Sequence, residues 1–292
     1  MSGLSDLPLE ALVPVVGGLI ASISWATSSL STSRASRSVG AWATLAWVSI
    51  FGLVIATPLL LTDRLPGPAD LPSLAWLAAS AVFNVLGLLA LYASFRHGKV
   101  GLIAPITSTE GAIAAVIAIA FGAAVSGMVV VALAVTVVGV VLTTVGEGVH
   151  LRDVLAGRGY LPLAVAAAVF FGLSLYTAGV VSGDVPLVWL SFTPRLAGVL
   201  LVAVPLLLMG RLGIPRRAIP FLLLAGAVEV LGIAAYGWGA AQGIAVAAVL
   251  ASQVGLVVAL VSHPMGERLS RRQWAGVLIA GAGVAAVTVL SV

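Results

Sequence analysis

The chain has 292 residues, 61% of them hydrophobic and 8% charged, with a mean hydropathy of +1.20. Charges so sparse do not coat a water-soluble globule, which excludes a soluble domain and describes an all-α integral membrane protein. The formal net charge of +4 is spread as single residues and pairs rather than as a basic run, which excludes a nucleic-acid footprint, and the lack of cysteine excludes disulfides, zinc–thiolate sites and iron–sulfur clusters.

About ten apolar stretches are each long enough, at 1.5 Å per residue, to cross roughly 30 Å of hydrocarbon. The first, 9–31, lacks a basic leader and a small-residue cleavage site and holds Trp25 among Ser24, Thr27 and Ser28, so it reads as a retained helix. Spans at 39–61 and 72–95 follow, the latter carrying Asn84 and Tyr92. The fourth, 100–122, contains Pro105, which removes one backbone hydrogen bond, and then Thr107, Ser108, Thr109 and Glu110, a cluster that is costly to face toward lipid. The fifth is predicted at 127–146. A polar interfacial linker, 147–160, with His150, Arg152, Asp153 and Arg158, leads to spans at 161–182, 186–209, 217–240, 244–263 and 272–291.

The two halves resemble each other. Asn84-Val85-Leu86-Gly87 returns as Glu229-Val230-Leu231-Gly232 and His97-Gly98 as Gln242-Gly243, both about 145 residues later; Gly111 matches Gly255, Gly139 matches Gly283 and Pro58 matches Pro205. Repeats at 1–146 and 161–292 each hold five predicted spans, and an odd number inserts the second copy in the opposite sense. The fold expected is therefore ten transmembrane helices as two inverted five-helix repeats, the architecture of alternating access. On this alignment Trp47-Val48 stands where Pro194-Arg195 stands in the second half.

Loop charge gives an orientation. Arg34, Arg37, Arg96, Lys99, Arg152, Arg158, Arg211, Arg216, Arg217, Arg268, Arg271 and Arg272 fall on one side and Arg64 on the other, so the positive-inside rule puts both termini outside.

Ionisable residues within spans are candidates for function because burying a charge at membrane depth is expensive. There are three, Glu110, Arg195 and Glu229, and Asn84 corresponds to Glu229 by the repeat. Arg195 either faces a substrate or pairs with Glu110 or Glu229 as an internal strut. Thr107, Ser108, Ser252 and Gln253 read as two walls of a polar pocket, unless the hydroxyls bond back to their own helices. Trp25 and Tyr176 are the aromatic candidates, because their polar neighbours Ser28 and Ser174 occupy equivalent positions. His97 and His263 lie at span ends and read as interfacial.

Gly266-Glu267-Arg268-Leu269-Ser270, followed by Gln273, Gly276, Leu278-Ile279, Gly281 and Gly283, resembles the end of an EamA-type domain of the drug/metabolite transporter superfamily, with Trp25 and Pro194-Arg195 as further landmarks. The first half departs from it, reading Phe121-Gly122-Ala123-Ala124-Val125-Ser126-Gly127 in place of the acidic–basic turn. The resemblance implies a secondary exporter of small organic metabolites in the plasma membrane, the inner membrane in bacteria, with aromatic or hydrophobic amino acids as the leading cargo. It implies both termini in the cytoplasm, against the charge count. A multidrug or cation exporter and a lipid-linked sugar translocase on the same scaffold stay open. The partners expected are a small-molecule substrate and the lipid bilayer, with protons a coupling ion only if Glu110 or Glu229 titrates. No cofactor, metal or catalytic constellation is expected, since no nucleotide loop, nucleophile elbow or His-Glu-x-x-His motif occurs.

Overall fold

The computed structural model describes residues 9–60, 71–98, 100–123, 126–144, 159–262 and 270–290, and among them every regular element is helical. In chain order these are α1 Leu9–Val39, α2 Ala41–Leu60, α3 Leu71–Phe95, α4 Val100–Thr107, α5 Glu110–Ala120, α6 Gly127–Thr144, α7 Leu161–Val181 and α8 Leu187–Gly198, which continues through a π-helical turn, Val199–Ala203, into α9 Val204–Leu208. A 3-10 turn, Arg216–Ala218, then opens α10 Ile219–Ala240, followed by α11 Ile244–Ala251, α12 Val254–Ser262 and α13 Arg271–Leu290. Most of the linker predicted at 147–160 and the turn Gly266–Leu269 lie outside the described residues, as do His263, Arg64, Lys99, Arg152, Arg158 and Arg268.

Among the described residues six helices are long and apolar enough to cross a membrane: Leu12–Val39, Ala41–Leu60, Pro72–Phe95, Leu161–Val181, Leu187–Leu208 and Arg216–Ala240. Shorter apolar helices, Glu110–Ala120, Gly127–Gly139, Ile244–Val258 and Trp274–Gly283, fall within the other four predicted stretches. Large apolar side chains such as Val54, Leu208, Leu231 and Leu278 stand exposed, as a lipid-facing surface requires.

The first helix runs eight residues beyond the predicted end at Ser31. Its Ser- and Arg-rich end stays helical because hydroxyls return to backbone carbonyls, Thr32 to Ser28 at 2.8 Å, Ser33 to Leu30 at 2.9 Å and Ser38 to Ala35 at 2.9 Å. Arg37 then donates to the carbonyls of Phe95 and Gly98, satisfying the end of α3. Arg34 lies 5.8 Å from the Phe221 ring, so these basic residues and the start of α10 share one end of the bundle.

Two predicted spans are interrupted at matching places. Ser108 N–H donates to Ala104 and Thr109 N–H to Ile106; Ser252 N–H donates to Ala248 and Gln253 N–H to Leu250. Each break is thus one tightened turn between two short helices. Proline is not its cause, because α4 runs through Pro105 and α11 breaks alike with Val249 in the corresponding place. Side chains compete for the carbonyls there instead: Ser108 Oγ donates to Ala104, and both Ser252 Oγ and Gln253 Nε2 donate to Val249.

Helices meet where a side chain is missing. A Cβ on Gly139 would run into the backbone of Ala280, and one on Gly283 into Thr136, so α6 and α13 lie backbone to backbone. In lipid, where burying apolar surface between helices gains little, such close approach supplies the dispersion that holds them. Gly52 seats the stem of Arg195 and Gly198 seats Ser49. The two contacts are reciprocal at one spacing, since Gly198 lies as far beyond Gly52 as Arg195 lies beyond Ser49. A π turn lies between Gly198 and Pro205.

Gly139→Ala is expected to cost about 1–3 kcal/mol by forcing α6 from α13. Gly281→Ala, where nothing lies within 4 Å, is expected to be neutral or slightly stabilising. Thermal unfolding of the two variants in detergent checks the difference.

Candidate functional site

A cavity opens among α1, α3, α4–α5, α7 and α10, with Val254 of α12 at its edge. Trp25, Asn84, Thr107, Glu110 and Glu229 line it, and so do Ser29, Ser80, Leu88, Phe171, Ser174 and Tyr236. About 50 Å³ is open to the centre of a water-sized sphere, room for a few waters at ~10–15 Å³ each.

The repeated tetrads explain two walls. Asn84 and Glu229 put their polar ends at the cavity, and three residues on, across the same helix face, Gly87 and Gly232 leave room for an aromatic ring from a neighbouring helix. Gly87 receives the Phe171 ring of α7 and Gly232 the Trp25 indole of α1, and both rings line the cavity. Tyr236 lies 6.3 Å from Trp25, centroid to centroid, and its hydroxyl donates to the Leu175 carbonyl at 2.6 Å.

Behind Asn84 and Glu229 is Arg195, whose side chain has no exposed surface. Its Nη2 donates to Asn84 Oδ1 at 2.9 Å and stands 3.6 Å from Glu229 Oε2. Ser28 Oγ donates to Glu229 Oε1 at 2.7 Å. A guanidinium removed from water is tolerable only with a charged partner at hand, so Arg195 serves as the strut of the two sequence alternatives and does not line the cavity. Ser28 likewise acts through Glu229. Glu110 differs from Glu229: it is 6% exposed, lines the cavity and has no hydrogen-bond or ion-pair partner among the described residues.

The remaining sequence candidates lie elsewhere. Ser108, Ser252 and Gln253 form the crossing of the two broken helices, outside the cavity lining; Ser108 Oγ accepts the Gly255 N–H at 2.8 Å, and a Cβ on Gly111 would strike Ser252. Thr107 lines the cavity while its hydroxyl bonds back to Ala104 at 2.9 Å. Tyr176 is not at the cavity; it packs edge-on against Trp76 at 6.3 Å and beside Phe121 at 5.7 Å. Equivalence of its neighbour Ser174 with Ser28 does not carry over to Tyr176, because on a helix the next-but-one residue points elsewhere.

Sequence reasoning missed Ser80, Phe171 and Ser29 as lining residues. Ser80 and Ser174 clasp α3 to α7, each hydroxyl donating to the other residue's carbonyl at 3.1 and 3.0 Å. Aligning the aromatic opposite Trp25 across the repeat would have found Phe171.

Residues 12–145 match the model of the EamA-like transporter family, which bears out the family resemblance. The match falls on the first half, whereas the motif that suggested the family lies in the second. A crystal structure 17% identical in sequence matches with a TM-score of 0.70, covering 95% of this chain and 97% of its own, which establishes a shared fold. No curated protein matches the chain. The six membrane-length helices among the described residues indicate an integral membrane protein, and its first half resembles a transporter family.

Removing Arg195 alone strands Glu229 beside one hydroxyl. Arg195→Met is expected to cost about 3–5 kcal/mol, and Arg195→Met combined with Glu229→Gln distinctly less than the sum of the single changes. Thermal unfolding of the singles and the double in one detergent reads the coupling.

Proposed function

Residues 12–145 match the EamA-like transporter family, and from that premise we propose that the chain is a ten-span secondary transporter of two inverted repeats that exports a small organic solute by alternating access. The observation that carries this reading is reciprocity of contact. Phe171 in Gly87 answers Trp25 in Gly232; Tyr160 against Gly98 answers Pro14 against Gly243; Ala280 against Gly139 answers Thr136 against Gly283. Exchanging the halves maps each contact onto its partner. Helix pairing follows the same rule, since α1 packs on α10 as α7 packs on α3. Two halves so related exchange conformations at similar energy, opening a shared cavity to one side and then the other.

The five-span repeat also supports an inverted arrangement, and the arginines gathered at one end of the bundle support a cytoplasmic position for that end, with Leu9 and Leu290 at the opposite end. Small amino acids with aromatic or apolar side chains suit the rings of Trp25, Phe171 and Tyr236. A cation-exporter reading is favoured by one feature: no Lys, Arg or His is among the lining residues, while two carboxylates are. Proton coupling would be carried by Glu110 or Glu229, and flux into liposomes under an imposed pH gradient tests it.

The native chain contains no cysteine, so an introduced pair reports without background. Ser80→Cys with Ser174→Cys replaces hydroxyls 3.3 Å apart. Oxidised protein in liposomes is expected to lose most of its amino-acid flux, and a reductant to restore it. Full flux in the oxidised state would mean that α3 and α7 do not part during transport.

A further inference from the structure

The two carboxylates of the cavity are in different chemical states of partnership. Glu229 has both oxygens engaged, one by Ser28 and the other beside Arg195. Glu110, at the start of α5 just past the break in its span, is buried, faces the cavity and has no partner among the described residues. The other polar lining atoms do not neutralise it. Asn84 gives its oxygen to Arg195, Thr107 bonds to its own helix, and Ser80 and Ser174 bond to each other. Three aromatic rings, Trp25, Phe171 and Tyr236, complete the wall.

We infer that Glu110 is the seat for a protonated amine, and that the cargo is a compact primary amine on an aromatic or apolar body whose carboxylate, if it has one, is not held by Arg195. An ammonium supplies three donors and one positive charge to a carboxylate that lacks both, in a site where neither group is otherwise compensated. Aromatic faces add attraction for the cation and cover for the apolar body. Among the described residues the guanidinium of Arg195 is sealed behind Asn84 and Glu229, and no lining residue among them meets a carboxylate with opposite charge. This assignment rests on the transporter reading and narrows its substrate class.

The test uses the full-length protein in detergent and three probes of one shape: 2-phenylethylamine, 3-phenylpropionate and 2-phenylethanol. Binding is followed by the rise in unfolding temperature with ligand. The amine is expected to stabilise the protein at concentrations about ten- to hundredfold below those needed for the alcohol, and the acid to be the weakest of the three. In Glu110→Gln the amine is expected to fall to the level of the alcohol, with the alcohol unchanged. An acid that binds as well as the amine, no binding of the amine, or a Glu110→Gln protein that keeps the amine preference would overturn the assignment. If Glu110→Gln fails to fold, the ranking of the three probes on the unaltered protein decides alone. Liposome flux keeps the two ideas apart: flux of some solute without amine preference removes the seat and leaves the transporter, whereas amine binding without flux of any solute does the reverse.

Discussion

Arg195 constrains everything around it. A guanidinium with no exposed surface, inside a bundle that lipid surrounds, exists only because Asn84 and Glu229 reach it from two other helices, and they reach it only if α3, α8 and α10 converge at one depth. Gly52 is part of the same arrangement, since any larger residue would displace the arginine stem. The charge is thus a registration point as well as a cost: helix rotations or shifts that would be nearly free among Leu and Val are penalised here.

Around that point, small residues do what water does for a soluble protein. Association gains little from burying apolar surface, so the helices are drawn together by close contact at glycines, with backbone at Gly139 and Gly283 and with aromatic rings at Gly87 and Gly232. Where the glycine faces another backbone the contact is rigid and remote from the cavity, as between α6 and α13. Where it faces a ring, as with Trp25 and Phe171, it sets the walls of the cavity. The broken helices cross between these regions, with Ser108 tied to Gly255, leaving interrupted backbone at the centre only where protein surrounds it.

Much of this was legible in the chain. Apolar runs marked the helices because lipid tolerates little else, and the three ionisable residues within them, Glu110, Arg195 and Glu229, are the ones that matter at the centre. What spacing along one chain does not carry is which side chain of another helix occupies a given gap. Phe171 looked like any apolar residue until Gly87 lay beneath it, and Tyr176 looked equivalent to Trp25's surroundings until its ring proved to face Trp76. Hydroxyls were ambiguous for the same reason: Ser108 and Thr107 are one residue apart, yet one ties two helices together and the other lines the cavity. The end of α1 was misread because serines and arginines in water signal a loop, whereas here they cap carbonyls at a helix end.

The wide turn at Val199–Ala203 lies between the polar and the apolar parts of one long span. A π turn holds about one residue more than an α turn, so an extra residue is absorbed there and the helix beyond it keeps its face. Ahead of it Arg195 stands in its buried contact with Asn84 and Glu229, while within and beyond it Leu200, Leu207 and Leu208 are exposed. The wide turn thus lets one span join a buried polar station to an exposed apolar end without a break in the helix.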